Sequence, residues 1–490
     1  MRKTKIVATI GPSSESEEML EKLINAGVNV ARFNMSHGTH EEHLAKINKV
    51  KWLNEKLGTN VGIMLDTKGP EIRLGDFEND KALLVQGTKF VLTTQDVLGN
   101  DERASVTYKE ITKDVREGTT ILLDDGLIEL RVNKVKRHDV ICTVINTGTI
   151  KSKKGVNIPG VKLSLPALTD RDMDDIKFGI ENGIDFVAAS FVRKAEDVLA
   201  LRNYMDNLNG TRVKIIAKIE NQEGIDNFDG ILKLVDGVMV ARGDMGVEVS
   251  MELLPSIQKM MIKKAIAAGK MVITATQMLE SMINNPRPTR AEVSDVANAI
   301  YDGSGAIMLS GESAAGKYPE ECVKMMNDIA ETTENNIDYW NRFKKRHVDK
   351  MGAYIEQHEE RMKVVDRLRR QINFAVCSSA LFTEAKAIIS ISDKGKTPAV
   401  LSGYRPACPI YVFTANEQTY KQLSLEWGVK AFYFPEIYKF EEILKRGVET
   451  LIQQGLMQKG DIAILGGGTS NDHVSENYLS TQAMGAVIRI

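Results

Sequence analysis

Residues 215–224 read IIAKIENQEG, an apolar run that ends in a cation and an anion, Lys218 and Glu220, two residues apart. Side chains at i and i+2 share one face of a strand, so both charges point the same way from an element that otherwise reads as core. A near-continuous apolar run marks a strand buried on both faces of a parallel sheet. In a barrel of such strands the chemistry gathers at the C-terminal ends. Whether this chain is such a barrel depends on how many similar runs accompany the first.

Seven do. They are TKIVATIGP (4–12), VNVARFNMSHG (28–38), VGIMLDTKGP (61–70), IDFVAASFV (184–192), VDGVMVARGD (235–244), KMVITATQM (270–278) and GAIMLSGES (305–313). Helix-patterned stretches lie between most of them. One is SEEMLEKLINAG, with Ser16 as a start signal and Gly27 as a stop. Eight strands alternating with helices predict an α/β fold of the (β/α)8 TIM-barrel type. The rival is an open doubly wound sheet. The count favours the barrel, and no G-x-G-x-x-G follows any strand.

More than a hundred residues separate the third run from the fourth. TTILLDDGLIELRV (119–132) alternates apolar with charged residues around an Asp125-Gly126 turn, and KFVLTT and VICTVINTGTI add strands. A small all-β domain, a β-barrel lid, is therefore expected at 70–168, inserted after barrel strand three. The barrel then takes 1–69 and 169–338. Residues 341–371 carry charges of both signs and read as a solvated helical connector. Beyond it AKAIISIS, CPIYVFT, KAFYFP and DIAILGGG resume strand–helix alternation, giving a C-terminal α/β domain at 339–490.

Bulk composition narrows the function. The chain has 490 residues, a net charge of −2, 43% hydrophobic and 27% charged residues. This is an ordinary globular balance without the basic footprint of nucleic-acid binding. No run approaches the ~20 apolar residues of a membrane helix, and the N-terminus lacks a signal-peptide pattern. Cys142, Cys322, Cys377 and Cys408 are far apart in sequence and suit reduced thiols of a cytoplasmic protein.

The strand ends supply Arg32, Asn34, Ser36, Asp66, Thr67, Lys68, Arg73, Lys218, Glu220, Arg242, Asp244, Thr276, Ser310 and Glu312. Any one strand-end ion pair is more often structural than catalytic; this many converging on one rim reverse those odds. Glu220 and Asp244, on adjacent strands, are hard oxygen ligands, and two carboxylates with waters and a phosphate suit Mg2+. Lys218 sits beside them as a point charge, and Arg32 and Arg73 offer planar forks for phosphate or carboxylate. This is equipment for phosphoryl transfer, which needs alignment and charge neutralisation. Phosphate-loop matches elsewhere fail: GESAAGKY (311–318) ends in Tyr318 where a metal-holding Ser or Thr belongs, and DKGKTP (393–398) lacks the leading Gly. The second remains equally readable as a phosphate-holding loop or an ordinary turn. The residues alone stop at a Mg2+-dependent enzyme acting on a phosphorylated anion.

Nine segments, in order, go further: TKIVATIGPSS, ARFNMSHG, LDTKGPEIR, SKKGVNIPG, LSLPALTDRDMDDIKFG, IIAKIENQEG, MVARGDMGVE, ATQMLESM with PRPTRAEVSDVANAIYDG, and IMLSGESAAGKYP. Through them the chain resembles the pyruvate kinase family over nearly its whole length. The resemblance implies the same three-part architecture, commonly a homotetramer, and transfer of the phosphoryl group of phosphoenolpyruvate to ADP, giving pyruvate and ATP. It implies that Lys218 stabilises the phosphoryl group in flight and that Arg32 contacts it. Glu220 and Asp244 would bind Mg2+ (or Mn2+), and Gly243 and Thr276 the substrate's carboxylate. Asn34, Ser36, Asp66 and the Thr67 carbonyl would bind K+. Arg73, Arg171 and Asn34 would face the nucleotide. Glu71, where some relatives carry Lys, implies K+ dependence. Hydroxyls near Thr276, with Ser310 and Glu312 behind, would serve protonation of the enolate. In the C-terminal domain Ser392, Lys394, Lys396 and Thr397 would hold the phosphate of an effector, with Asp393 an unwelcome anion and GGGTSND (466–472) the only trace of the usual closing segment. On this reading Lys218 and Glu220 need no direct salt bridge, because a metal lies between them. Two rivals differ in class. A barrel that makes or breaks C–C bonds would not need the lid or Arg73. A phosphate-sensing regulator would be expected to have lost Lys218 or a metal carboxylate.

Overall fold

The structure, a computed structural model, describes residues 1–348, 364–436, 440–467 and 484–490. Eight parallel strands close into a barrel: Lys5–Thr9, Val30–Asn34, Gly62–Asp66, Phe186–Ala189, Lys214–Ile219, Gly237–Ala241, Met271–Ala275 and Ala306–Leu309. Each coincides with one of the eight apolar runs, the fifth starting one residue ahead of its run. They are called barrel strands one to eight below. A helix follows each strand and packs on the outside. The first, Glu17–Ala26, starts as expected with the Ser16 hydroxyl accepting from the Met19 N–H, and stops at Gly27 with φ 113°.

Strand five shows how the period of two sorts its residues. Ile215, Ala217 and Ile219 face the helices in the large outer core. Ile216 faces inward, into a cluster with residues from all eight strands, such as Val7, Met64, Phe186 and Met239. Lys214, Lys218 and Glu220 share the inward parity with Ile216. The strand therefore carries a charge at each end of an apolar middle, and the charges at its C-terminal end reach the rim.

The barrel interior also contains a residue from outside the barrel. Leu425, only 1% exposed, joins the inner cluster from the C-terminal domain. Around it the two domains are tied by polar contacts. Lys5 donates to the Val429 carbonyl at 2.6 Å, Lys214 pairs with Glu426 at 3.5 Å, and Gln422 donates to the Arg212 carbonyl at 2.7 Å.

Asp185, at the base of strand four, is buried and accepts from the Ile63 N–H at 2.8 Å. Burial pushes its pKa up to about 7, with Lys421 and Lys51 opposing. An acid with a raised folded-state pKa contributes stability fully present below its unfolded value, near 4, and lost as pH rises through 7. Asp185→Asn is accordingly expected to gain about 2–3 kcal/mol on the wild type between pH 5 and pH 8. Denaturant titrations at the two pH values check this; parallel behaviour of the two proteins would refute it.

The insert has its own apolar cluster, including Phe90, Ile121, Leu130 and Val144. Its strands form a six-stranded and a separate two-stranded sheet, and residues 72–75 close the six-stranded one into the expected small barrel, the Leu74 N–H donating to the Lys154 carbonyl beside one edge strand and the Gly75 N–H to the Ser105 carbonyl of the other, both at 2.9 Å. The 119–132 hairpin is present: Thr120–Leu123 pairs antiparallel with Ile128–Val135, and Asp124, Asp125 and Gly126 all have positive φ. The C-terminal sheet has five strands. Four are parallel and match the four sequence runs; the fifth, Met484–Arg489, is antiparallel at the edge and was not anticipated. The connector's ends are helical, at Tyr339–Phe343 and Val364–Phe382, while its middle and most of GGGTSND lie outside the described residues. All four cysteines are buried free thiols.

Candidate active site

At the C-terminal end of the barrel, neighbouring strands place opposite charges side by side. Asp66, at the end of strand three, is fully buried. It meets Arg32 of strand two at 2.6 Å and Lys218 of strand five at 3.1 Å. Burial works against its charge, yet Arg32 and then Lys218 outweigh burial and hold its carboxyl below the ordinary range. Arg32 also donates to the Thr9 hydroxyl at 2.8 Å, so two strands fix its fork.

Lys218 lies 2.9 Å from Glu220 Oε1. The two do form a direct ion pair, which the expectation of a metal between them did not require. Burial alone would lower the Lys218 pKa, but Asp66 and Glu220 raise it, and the side chain stays an ammonium. Glu220 is fully buried, and burial pushes its carboxyl up to about 7, with Lys218 opposing and Asp244 adding. Its Oε2 accepts from the Phe191 N–H at 2.6 Å, while Oε1, also buried, has no aligned hydrogen bond. Asp244, the second expected metal carboxylate, stands exposed on the turn of helix Arg242–Glu248 that follows strand six.

These donors fit a divalent ion: two carboxylates of adjacent strands, one with a buried oxygen whose contact with Lys218 is an ion pair without an aligned hydrogen bond. No group of three or more His, Cys, Asp or Glu side chains is placed to hold a metal among the described residues. That suits an ion completed by substrate oxygens and water better than a closed protein cage.

Thr276 sits just past strand seven with φ +67°, followed by Gln277 at +52°. A β-branched residue there is strained and persists only where its surroundings hold it. Arg242 does the holding. It donates to the carbonyls of Ala275 (3.2 Å) and Thr276 (2.7 Å) and is anchored on Asp295 at 2.7 Å. The Gly243 N–H donates to the Thr276 hydroxyl at 2.7 Å, so the two groups expected at a carboxylate are in contact. Ser310 and Glu312 lie past strand eight; Glu312 is fully buried, accepting from the Ser310 and Leu279 N–H groups.

The expected monovalent-cation ligands are all oxygen donors on one side of the rim. Asn34 and Asp66 are register partners on strands two and three. The Ser36 N–H donates to Asn34 Oδ1 at 3.2 Å, and the Thr67 carbonyl accepts from the Ser190 hydroxyl at 2.6 Å. Arg171 reaches across to the Met35 carbonyl at 2.7 Å. It stands beside that loop.

Arg73 lies where the chain leaves the barrel for the insert. Glu71 holds it at 2.7 Å, and it donates to the Lys153 carbonyl. It lines a cleft of about 290 Å³ between insert and barrel, together with Asp124, Lys154, Asn221, Asp244 and Glu248. Asn157 of the insert spans to Glu248 of the barrel at 2.8 Å.

Ser392, Lys394, Lys396 and Thr397 lie apart from this rim, in the C-terminal domain. Gly395, φ +67°, opens helix Lys396–Gly403, and its N–H donates to the Ser392 hydroxyl. The Asp393 carboxylate is taken up by the Ala415 N–H at 3.1 Å, which directs the anion away from the loop.

Sequence reasoning missed Thr9, Ser190, Arg193 and Asp295. Arg193, anchored on Asp197, donates to the carbonyls of Leu163 and Pro166 on the segment returning from the insert. Ser190 and Arg193 follow strand four, whose run carried no strand-end charge within the barrel proper; the hydroxyl at its end was the available signal.

The sequence matches two family models, "Pyruvate kinase, barrel domain" over residues 1–323 and "Pyruvate kinase, alpha/beta domain" over 370–480. A pyruvate kinase of Clostridium acetobutylicum is 46% identical over 486 residues, covering 99% of this chain and 100% of that one. One from Staphylococcus haemolyticus is 49% identical over 475 residues, 96% of this chain and 78% of that one. Among solved structures, a pyruvate kinase from Cryptosporidium parvum superposes with a TM-score of 0.90 at 37% identity, covering 100% of this chain and 96% of that one.

Proposed function

This chain belongs to the pyruvate kinase family, and from that premise we propose roles for the rim residues in the family's reaction, transfer of the phosphoryl group of phosphoenolpyruvate to ADP. The observation that carries the assignment is the row Arg32–Asp66–Lys218–Glu220: two cations and two carboxylates in contact, three of them within a strand end or one residue of it. Lys218 and Arg32 supply fixed positive charge to the transferring group, which needs neutralisation more than covalent help. Lys218 serves as catalytic residue, and Thr276 and Gly243 orient the substrate carboxylate beside Asp244.

The family requires a divalent metal. Glu220 and Asp244 would hold it, as Mg2+ or Mn2+. Bound there, it would neutralise phosphoryl and enolate oxygens. Asn34, Ser36, Asp66 and Thr67 would hold K+. Arg73 and Asn34 would meet the nucleotide phosphates, with Arg171 supporting the Asn34 loop. The division into domains at 1–69 with 169–338, 70–168 and 339–490 is supported by the apolar clusters, which apart from Leu425 each keep to one of these parts. A phosphorylated effector at Ser392, Lys394, Lys396 and Thr397, a homotetrameric state and a cytoplasmic location complete the proposal. No helix among the described residues is long and apolar enough to cross a membrane.

A coupled assay with phosphoenolpyruvate and ADP, with and without Mg2+, K+ and sugar phosphates, tests the assignment. Omission of Mg2+ is expected to abolish turnover, and omission of K+ to lower it by about tenfold or more. Glu71→Lys is expected to remove most of the K+ requirement, because an ammonium can take the place of the ion's charge. Equal rates with and without K+ in the wild type would defeat the monovalent-cation reading.

A further inference from the structure

The turn after strand four, Ser190 and Phe191, touches three groups of the charged row, Asp66, Lys218 and Glu220. Lys218 has two carboxylates at ion-pair distance, but its one aligned hydrogen bond among the described residues goes to the Ser190 hydroxyl, at 2.7 Å. An ammonium is a donor only, so Ser190 must accept from it. The single hydroxyl proton is then free to go to the Thr67 carbonyl, 2.6 Å away, with Asp66 Oδ1 more distant at 3.3 Å. The direction of the chain from Lys218 through Ser190 to Thr67 is thus fixed by chemistry. The Ser190 N–H closes the link from the other side, donating to the Thr67 hydroxyl at 3.1 Å.

The next residue, Phe191, has φ +54°, a strained conformation for a non-glycine residue that persists only where its surroundings hold it. That backbone aims its N–H at Glu220 Oε2. The turn is pressed against Gly69, where an added Cβ would come within 2.8 Å of Ser190 Cβ and of the Phe191 ring. Ser190 is 7% exposed, so water is a poor substitute for its hydroxyl.

We propose that Ser190 is a positioning residue for phosphoryl transfer, its hydroxyl fixing the Lys218 ammonium against the Thr67 carbonyl and so tying the monovalent-cation site to the cation that meets the moving phosphoryl group. This rests on the rim assignment above. Glu220 is shared between Lys218 and the divalent ion, and Asp66 between Lys218 and Arg32. Ser190 is the uncharged partner that holds Lys218 in place when Glu220 turns to the metal.

The test compares the full-length wild type with Ser190→Ala and with Ser190→Cys, which keeps a similar shape but hydrogen-bonds weakly. Three quantities are read: steady-state constants, the K+ concentration giving half the K+-induced rise in melting temperature, and Mg2+-dependent exchange of the pyruvate methyl protons. In both variants kcat for ATP formation is expected to fall by about 30–300-fold with KM for phosphoenolpyruvate within about threefold. The K+ half-point is expected to rise by about tenfold, and proton exchange to persist. If Ser190→Ala does not fold, Ser190→Cys carries the same comparison. Lower melting temperatures with unchanged kcat and K+ half-point would show a merely structural role and overturn the proposal. A wild type whose melting does not respond to K+ at all would instead overturn the cation-site assignment on which it stands.

Discussion

Lys218→Met is expected to lower ATP formation from phosphoenolpyruvate and ADP by about 10³-fold or more, while Mg2+-dependent enolisation of pyruvate stays measurable. Methionine nearly matches the length of the lysine stem, so the cavity left at strand five is small. What disappears is a buried positive charge held between Asp66 and Glu220. Those carboxylates keep the site charged as an ammonium, so the wild-type group is a fixed cation across the working pH range. No other side chain replaces it: Arg32 is already committed to Asp66 and Thr9. Enolisation requires the carboxylate subsite around Thr276 and the metal carboxylates, which the substitution leaves intact. Rapid-quench measurement of ATP alongside proton exchange at the pyruvate methyl separates the two half-reactions. Undiminished ATP formation would remove Lys218 from the mechanism.

Asp66→Asn is expected to do damage of a different kind. The carboxylate is completely buried and compensates Arg32 and Lys218 together. Removing one member of a buried charge set leaves the others uncompensated, at a cost of about 3–5 kcal/mol. Activity is expected to fall with it, because both cations lose the anchor that aims them. The pH dependence follows from the lowered Asp66 pKa. A depressed carboxyl contributes stability that is present above its unfolded value, near 4, and lost as pH falls through the folded value. The stability gap between wild type and Asp66→Asn should therefore be widest at neutral pH and shrink in acid. Chemical denaturation at pH 7 and pH 3 checks this, and a constant gap would contradict it.

The barrel was legible because each strand is buried on both faces, which leaves an apolar run that a single sequence displays. The charged strand ends were legible for the complementary reason: Arg32, Asp66, Lys218 and Glu220 interrupt those runs at the barrel rim, buried though they are. The contacts among them were not. Sequence spacing put Lys218 and Glu220 on one face but could not show that they touch. Thr9, Ser190 and Asp295 were missed because each acts on a partner far away in sequence, across strands or across a helix, and none breaks a local pattern. The edge strand Met484–Arg489 was hidden by the unfamiliar segment in which it lies. The Arg242 clamp was equally silent, since the strain it holds at Thr276 is a property of backbone angles.

Leu425 bears on how the molecule is made. The inner wall of the barrel is complete in sequence at strand eight, Ala306–Leu309, yet its apolar filling includes a side chain more than a hundred residues further on. During synthesis the N-terminal part of a chain emerges first and begins to fold before the rest exists. Here the mouth at the strands' N-terminal ends, where Lys5 and Lys214 meet the C-terminal domain and Met271 lies beside Leu425, stays unsealed until residue 425 has left the ribosome. The C-terminal domain thus acts as the stopper that ends barrel folding, and a chain truncated after residue 338 should emerge with that apolar mouth uncovered and prone to self-association.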